Sequence, residues 1–161
     1  MQPLLLFLAL ASTCGWAATE YKNPDFELKL GSDWTRTVLI GAEHLYFSSK
    51  RADVSIKADS GRMKNKVQDP YKAAQVLIEK GIKRESDENK TGWATITKQG
   101  ISKFRDGVQA TYSGRDGTQR SFTWVGFIKE DKVVYLYFET PTRNELRLAV
   151  VVEEVLEGFR Y

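Results

Sequence analysis

The chain of 161 residues is 42% hydrophobic and 28% charged, which suits one globular domain and leaves no room for a second. Its 24 basic residues are nearly balanced by 21 acidic ones, so the net charge is only +3. Nucleic acid and anionic membranes usually select a strongly basic surface, and the overall charge therefore gives little support to either partner.

An uninterrupted apolar run, LLLFLALA at positions 4–11, lies near the start of the chain. It is too short to cross a bilayer, which needs about 20 residues, and it has the length of a signal-peptide core. Gly15 and Ala17 place small residues at positions −3 and −1 of a cleavage site. The sequence therefore predicts a signal peptide over 1–17, one domain over 18–161, and a soluble protein exported by the Sec route to the bacterial periplasm.

Cys14 is the only cysteine and offers an alternative, a membrane-tethered lipoprotein. Bacterial lipoprotein signals usually carry Leu three residues before the cysteine and a small residue directly before it. Here these positions hold Ala11 and Thr13. Lipidation of Cys14 is therefore the minor alternative, and cleavage after Ala17 would leave a mature domain without any thiol chemistry.

The first half of the mature chain shows strand-like alternation and one helix. Asp69-Pro70 combines an N-cap side chain with a proline at the first helical position, and it predicts a helix that ends near Arg84. Polar loops are expected before and after this helix, over 59–68 and 86–90. The alternating apolar residues predict strands over 25–30, 35–40, 44–49 and 52–58.

The second half predicts four strands followed by a helix over 142–158. The strands cover 93–99, 108–113, 119–129 and 132–140, with turns at 114–117 and 130–131. Thr142 and Glu145 have the spacing of a capping box. The order of strands, helix, strands, helix predicts an antiparallel sheet and the α+β class. The expected buried stripe of the last helix consists of Leu146, Ala149, Val150, Val152, Leu156 and Phe159.

This layout carries a family resemblance through motifs spread along the mature chain. They are the run 26–30 with Asp33-Trp34, the runs 44–47 and 54–56, the helix start Asp69-Pro70, and the run 133–138 with Thr140-Pro141 and the last helix. The chain thus resembles the PsbP-like superfamily, and within it the DcrB-like bacterial envelope proteins. The resemblance implies an antiparallel β-sheet flanked by helices, an α/β/α sandwich, in mostly non-enzymatic accessory or binding proteins.

No residue pattern indicates catalysis, a cofactor or a metal site. His44 is the only histidine, and without a second histidine or a mature cysteine it is expected to be a structural or surface residue. The chain has no Gly-x-Ser-x-Gly elbow and no glycine-rich phosphate loop. We therefore predict that the protein is not an enzyme, with an envelope hydrolase as an unfavoured alternative.

The aromatic strands are the best candidates for a binding surface. Both faces of the runs 122–128 and 133–138 are apolar, so both faces need cover. Two helices can cover opposite faces, or one face can remain for a partner and expose some of Trp124, Tyr135 and Tyr137. The basic segment 57–66 adds Arg62 and Lys64, which could contact an acidic partner or lipid headgroups or could belong to a solvated loop.

These observations favour an exported accessory protein that binds a protein or a ligand in the periplasm. A protein partner in the cell envelope is expected, nucleic acid is not, and membrane contact is expected only if Cys14 is lipidated. A second hypothesis is an immunity protein that neutralises a toxin delivered to the periplasm.

Overall fold

The computed structural model describes residues 19–38, 44–64, 67–88 and 94–161. The predicted signal peptide and Cys14 lie outside these residues, and so do parts of the strands predicted over 35–40 and 93–99. Within the described residues no helix is long and apolar enough to cross a membrane.

The described chain forms strands, one long helix, four more strands and a second helix. The elements are β1 (Thr19–Lys22), β2 (Glu27–Leu30), β3 (Trp34–Thr37), β4 (Leu45–Ser49), β5 (Val54–Arg62), α1 (Pro70–Glu88), β6 (Thr95–Phe104), β7 (Gly107–Arg115), β8 (Arg120–Lys129), β9 (Lys132–Pro141), a 3-10 turn (Thr142–Asn144), α2 (Glu145–Glu157) and β10 (Phe159–Arg160).

A seven-stranded antiparallel sheet has the order β3-β4-β5-β9-β8-β7-β6, and a small second sheet has the order β1-β2-β10. α1 packs on β6, β7 and β8, whereas α2 packs on β8, β9 and β2. Alternate residues of β8 belong to two separate cores, Trp124 with α1 and Val125 with α2. The helices therefore cover opposite faces of the large sheet, and the predicted α+β fold is confirmed.

Two boundaries around α1 differ from the sequence prediction. The loop predicted over 59–68 is wrong in its first part, because β5 continues to Arg62 through pairing with Tyr135 to Lys132 of β9. The loop predicted over 86–90 is also wrong in its first part, since α1 continues to Glu88. Ser86 donates its hydroxyl to the carbonyl of Ile82, and no glycine or proline interrupts this turn.

The prediction for α2 is wrong in its cap and in three of the six residues of its buried stripe. A 3-10 turn precedes the helix, which begins at Glu145 with no side-chain hydrogen bond at its N-cap. The Glu145 carboxylate accepts a hydrogen bond from Arg115 instead of closing a capping box. Leu146 is 91% exposed and Ala149 and Val150 are exposed as well. The buried residues are Leu148, Val151, Val152 and Val155.

The small sheet, which the sequence prediction missed, joins the two ends of the described chain. Phe159 lies opposite Leu28, and Lys29 donates its backbone N–H to the carbonyl of Gly158 at 3.1 Å. Phe159 was expected in the helical stripe. It is instead a buried strand residue whose ring stacks on Phe127, with 4.3 Å between ring centroids.

Candidate functional site

The helix α1 covers only part of its face of the large sheet. It lies over β6, β7 and β8, while the same face of β9 and β5 continues beyond it. The approach to β7 is close at Gly81, where an added Cβ would lie 2.7 Å from the hydroxyl oxygen of Tyr112. The absence of a side chain at Gly81 thus sets the distance of α1 from the sheet. A groove remains along the side of α1 that faces β9 and β5.

This groove has a volume of about 1040 Å³ and lies between α1 and the strands β5, β8 and β9. Trp124, Val133 and Tyr135 form its floor on the sheet, and Val76 and Leu77 form an apolar wall on α1. The opposite wall is formed by Arg62 at the end of β5 and by Met63 and Lys64, which follow it. We call this space the α1 groove.

The floor of the α1 groove depends on the flat placement of the Trp124 indole. The ring is 5% exposed and stacks on Tyr112, with 5.2 Å between centroids and 15° between the ring planes. Gly126, two residues further along the same face of β8, lies beneath the far edge of the indole, and a Cβ there would clash with it. The absence of a side chain at Gly126 therefore lets the Trp124 indole pack closely on β8, where it is nearly fully buried beneath the groove.

The rim of the α1 groove is strongly cationic. Its lining contains one acidic residue, Asp69, whose carboxylate accepts the backbone N–H groups of residues 71 and 72, both at 3.0 Å, and so caps α1. Among the described residues no carboxylate forms an ion pair with Lys64, Lys72 or Lys80. The five basic residues that line the groove are Arg62, Lys64, Lys72, Lys80 and Arg84.

A second cavity of about 410 Å³ adjoins the groove and differs from it in charge. The two spaces share Arg84, Trp124 and Tyr135. Lys57 and Arg84 face two carboxylates in this second cavity, those of Glu85 and Glu139. Of these two spaces, the α1 groove therefore carries the excess of positive charge.

Tyrosine hydroxyls connect the sheet to acidic residues around these spaces. Tyr135 donates to Asp59 at 2.8 Å, and Tyr112 donates to Glu85 at 3.3 Å. Burial, and then the negative charge of Glu85, raises the pKa of Tyr112 and Tyr137. Burial, and then the hydrogen bond to Asp59, raises the pKa of Tyr135. These hydroxyls are consequently neutral hydrogen-bond donors at physiological pH.

The raised tyrosine pKa values predict a loss of stability in alkali. An unfolded tyrosine ionises near pH 10, whereas these folded tyrosines keep their protons to higher pH. The unfolded chain then binds fewer protons, so the free energy of unfolding falls as the pH rises above about 10, by at most about 1.4 kcal/mol per pH unit for each group. We expect Tyr137→Phe to reduce this slope in urea titrations between pH 9 and 11, and the exposed control Tyr71→Phe to leave it unchanged. Equal slopes in both variants would contradict the prediction.

His44 lies outside both spaces. Its Nδ1 is 2.6 Å from Asp59 Oδ2, an ion-pair distance without the alignment of a hydrogen bond. Neither His44 nor Asp59 lines the α1 groove or the second cavity. The described residues contain no group of three or more His, Cys, Asp or Glu side chains that could hold a metal ion.

The residues that the sequence proposed for binding come together in the structure. Arg62, Lys64, Trp124 and Tyr135 line the α1 groove, and Tyr137 lines the adjoining cavity. The sequence prediction missed the basic residues contributed by α1. Lys72, Val76, Lys80 and Arg84 follow one another at intervals of four, which places them on one helical row, and this spacing is visible in the sequence.

Comparisons with known proteins find similarity in structure alone. The sequence matches no protein-family model and no curated protein. The solution structure of cyanobacterial PsbP (CyanoP) from Synechocystis sp. PCC 6803 is similar with a TM-score of 0.68 at 11% identity, over 94% of this chain and 96% of that one. LpqN of Mycobacterium tuberculosis, a protein involved in cell envelope biogenesis, is similar with a TM-score of 0.63 at 12% identity, over 89% of both chains.

Proposed function

Because the chain has the PsbP-like fold, we propose that it is an exported accessory protein of a bacterial cell envelope, which acts by binding through the α1 groove and not by catalysis. The observation that carries the proposal is the groove itself, with its apolar floor at Trp124 and its cationic rim. A concave, mostly apolar space with a few convergent charged groups is the usual form of a binding site.

Two further observations support an accessory role in the envelope. The signal peptide predicted over 1–17 agrees with the envelope role of LpqN, whose fold is similar. The only histidine of the sequence also favours binding over hydrolysis, since the pair formed by His44 and Asp59 lines neither space. A hydrolase would need such groups to converge on one cavity. A DcrB-like subgroup remains a prediction from the sequence.

Site-specific photo-crosslinking in cells tests this proposal. Benzoylphenylalanine at position 61 projects into the groove, where a Cβ added to Gly61 meets no atom within 4 Å. Gly100 on the edge strand β6 is equally open, lies outside the groove and serves as the matched control. We expect a discrete adduct from position 61 and none from position 100, recovered in the periplasmic or envelope fraction with a mature N-terminus at Ala18.

Equal labelling at positions 61 and 100, or no adduct at either, would contradict binding through the groove. Recovery of the protein in the cytoplasm with an intact Met1 would contradict export. Recovery of the protein with an acylated Cys14 would show that it is a membrane-tethered lipoprotein and not a soluble protein. It would leave the proposal of binding through the groove unaffected.

A further inference from the structure

We infer that the α1 groove binds an anionic amphiphile, that is, a single alkyl chain that ends in a carboxylate or phosphate. The inference deepens the proposed function and rests on it, because it names the chemistry of the molecule that occupies the groove. Nothing in the net charge of +3 indicates such a ligand; the arrangement of charged and apolar residues does.

The apolar part of the groove accounts for the alkyl chain. Val76 on α1 is 39% exposed, and Leu77 beside it is half-buried. Val133 and Tyr135 on the sheet are half-buried as well, so hydrophobic surface on both sides of the groove is in contact with water. An alkyl chain laid between α1 and the floor would remove both surfaces from water, and this is the main source of affinity for apolar ligands.

The cationic rim accounts for the anionic headgroup. Lys72, Lys80 and Arg84 lie on one row of α1, and Arg62 and Lys64 lie on the opposite wall, so positive charge borders the apolar floor from two sides. The Arg62 guanidinium already donates a hydrogen bond to Asp131 Oδ1 at 2.9 Å. The ammonium groups of Lys64, Lys72 and Lys80, by contrast, have no ion-pair partner among the described residues. Lysine ammoniums and arginine guanidiniums are the usual ligands of carboxylates and phosphates.

The dimensions favour a small molecule over a protein segment. The volume of about 1040 Å³ is at the upper end of small-ligand cavities, which span about 300–1,000 Å³. A stable protein interface usually buries about 800 Å² on each partner and centres on a broad patch. The positive charge here borders a concave space, and the adjoining cavity carries the carboxylates of Glu85 and Glu139.

Calorimetric titration of the purified protein with defined amphiphiles tests the inference. The probes are dodecanoate and dodecyl phosphate below their micellar concentrations, with dodecyltrimethylammonium, acetate and inorganic phosphate as comparisons. We expect one molecule of either anionic probe to bind, at least tenfold weaker binding of the cationic probe, and no measurable binding of the two short anions. Each CH₂ removed from the chain should weaken binding about fourfold.

Matched variants locate the site. Lys72→Glu with Lys80→Glu should weaken dodecanoate binding at least tenfold, whereas Lys98→Glu with Lys103→Glu, an equal charge change on the exposed strand β6, should leave it unchanged. Gly61→Trp should block the groove, and Gly100→Trp should not. Circular dichroism and thermal unfolding verify that each variant is folded.

Binding of dodecyltrimethylammonium as tightly as dodecanoate, or binding unaffected by the groove variants, would overturn the inference. Tight binding of an acidic amphipathic peptide without any binding of dodecanoate would overturn the inference and indicate that the groove binds a protein partner. Adducts at position 61 without dodecanoate binding would refute this inference alone, and the absence of both would refute the proposed function as well.

Discussion

Replacement of Phe127 by alanine is expected to lower the free energy of unfolding by about 3–5 kcal/mol. The Phe127 ring is fully buried and contacts three aromatic rings: Phe159 at 4.3 Å, Phe104 at 4.9 Å and Tyr161 at 5.4 Å between centroids. Its removal would leave a cavity that connects the large sheet to β10, and rings held by two sheets have little freedom to fill it.

Urea unfolding monitored by circular dichroism measures this change. Val150→Ala is the control, because Val150 lies on the exposed side of α2 and its truncation should alter the free energy of unfolding by less than about 0.5 kcal/mol. A loss below about 1 kcal/mol for Phe127→Ala would show that the aromatic cluster does not hold the two sheets together.

Replacement of Gly81 by leucine is expected to destabilise the protein by about 1–3 kcal/mol and to weaken binding in the α1 groove. Two effects oppose each other at this position. Leucine favours a helix over glycine by about 1 kcal/mol. The added side chain, however, would meet the Tyr112 ring, whose Cε1 and hydroxyl oxygen both lie 2.7 Å from the position of a Cβ. Because Tyr112 is fully buried, α1 must move away from the sheet.

A double-mutant cycle separates this clash from a general effect of the substitution. Gly81→Leu combined with Tyr112→Ala should be less destabilising than the sum of the two single changes, since the leucine would occupy the space of the lost ring. Lys83→Leu, on the exposed side of the same helix, should leave the free energy of unfolding nearly unchanged. Strict additivity in the cycle would contradict the close approach of Gly81 to Tyr112.

The sequence predicts this fold well where one physical signal dominates. Asp69-Pro70 starts α1 as expected, because an N-cap carboxylate and a proline at the next position both favour a helix start. The last three long strands were found from their apolar runs. α2 was misjudged because apolar residues follow one another over 148–152, so that sequence spacing does not select one face. The 3-10 turn and the contact of α2 with β9 instead determine which face of the helix is buried.

Short strands depend on partners that the sequence does not reveal. β10 has only two residues and is a strand because Phe159 lies opposite Leu28 in β2. The polar end of β5 is likewise a strand through its pairing with Tyr135 and its neighbours in β9. No local propensity distinguishes Asp59 to Arg62 from a loop, and only the tertiary arrangement determines these bounds.

The candidate site could be recognised from the sequence only in part. Trp124 and Tyr135 stood out because they belong to strands that are apolar on both faces. Lys72 and Lys80 did not, because basic residues on a helix usually face solvent. Five of the 24 basic residues meet in the α1 groove, and a net charge of +3 conceals this concentration.

The pairing of β10 with β2 also has a consequence for the order of events during biosynthesis. Leu28 is synthesised before Phe159, which follows α2 in the chain, so the core beneath α2 stays incomplete until α2 and β10 have been made. Until that time the nascent chain lacks the stack of Phe159 on Phe127, which joins β10 to the large sheet. For a protein exported as proposed, this delay would keep the chain incompletely folded while its signal peptide engages the translocation channel.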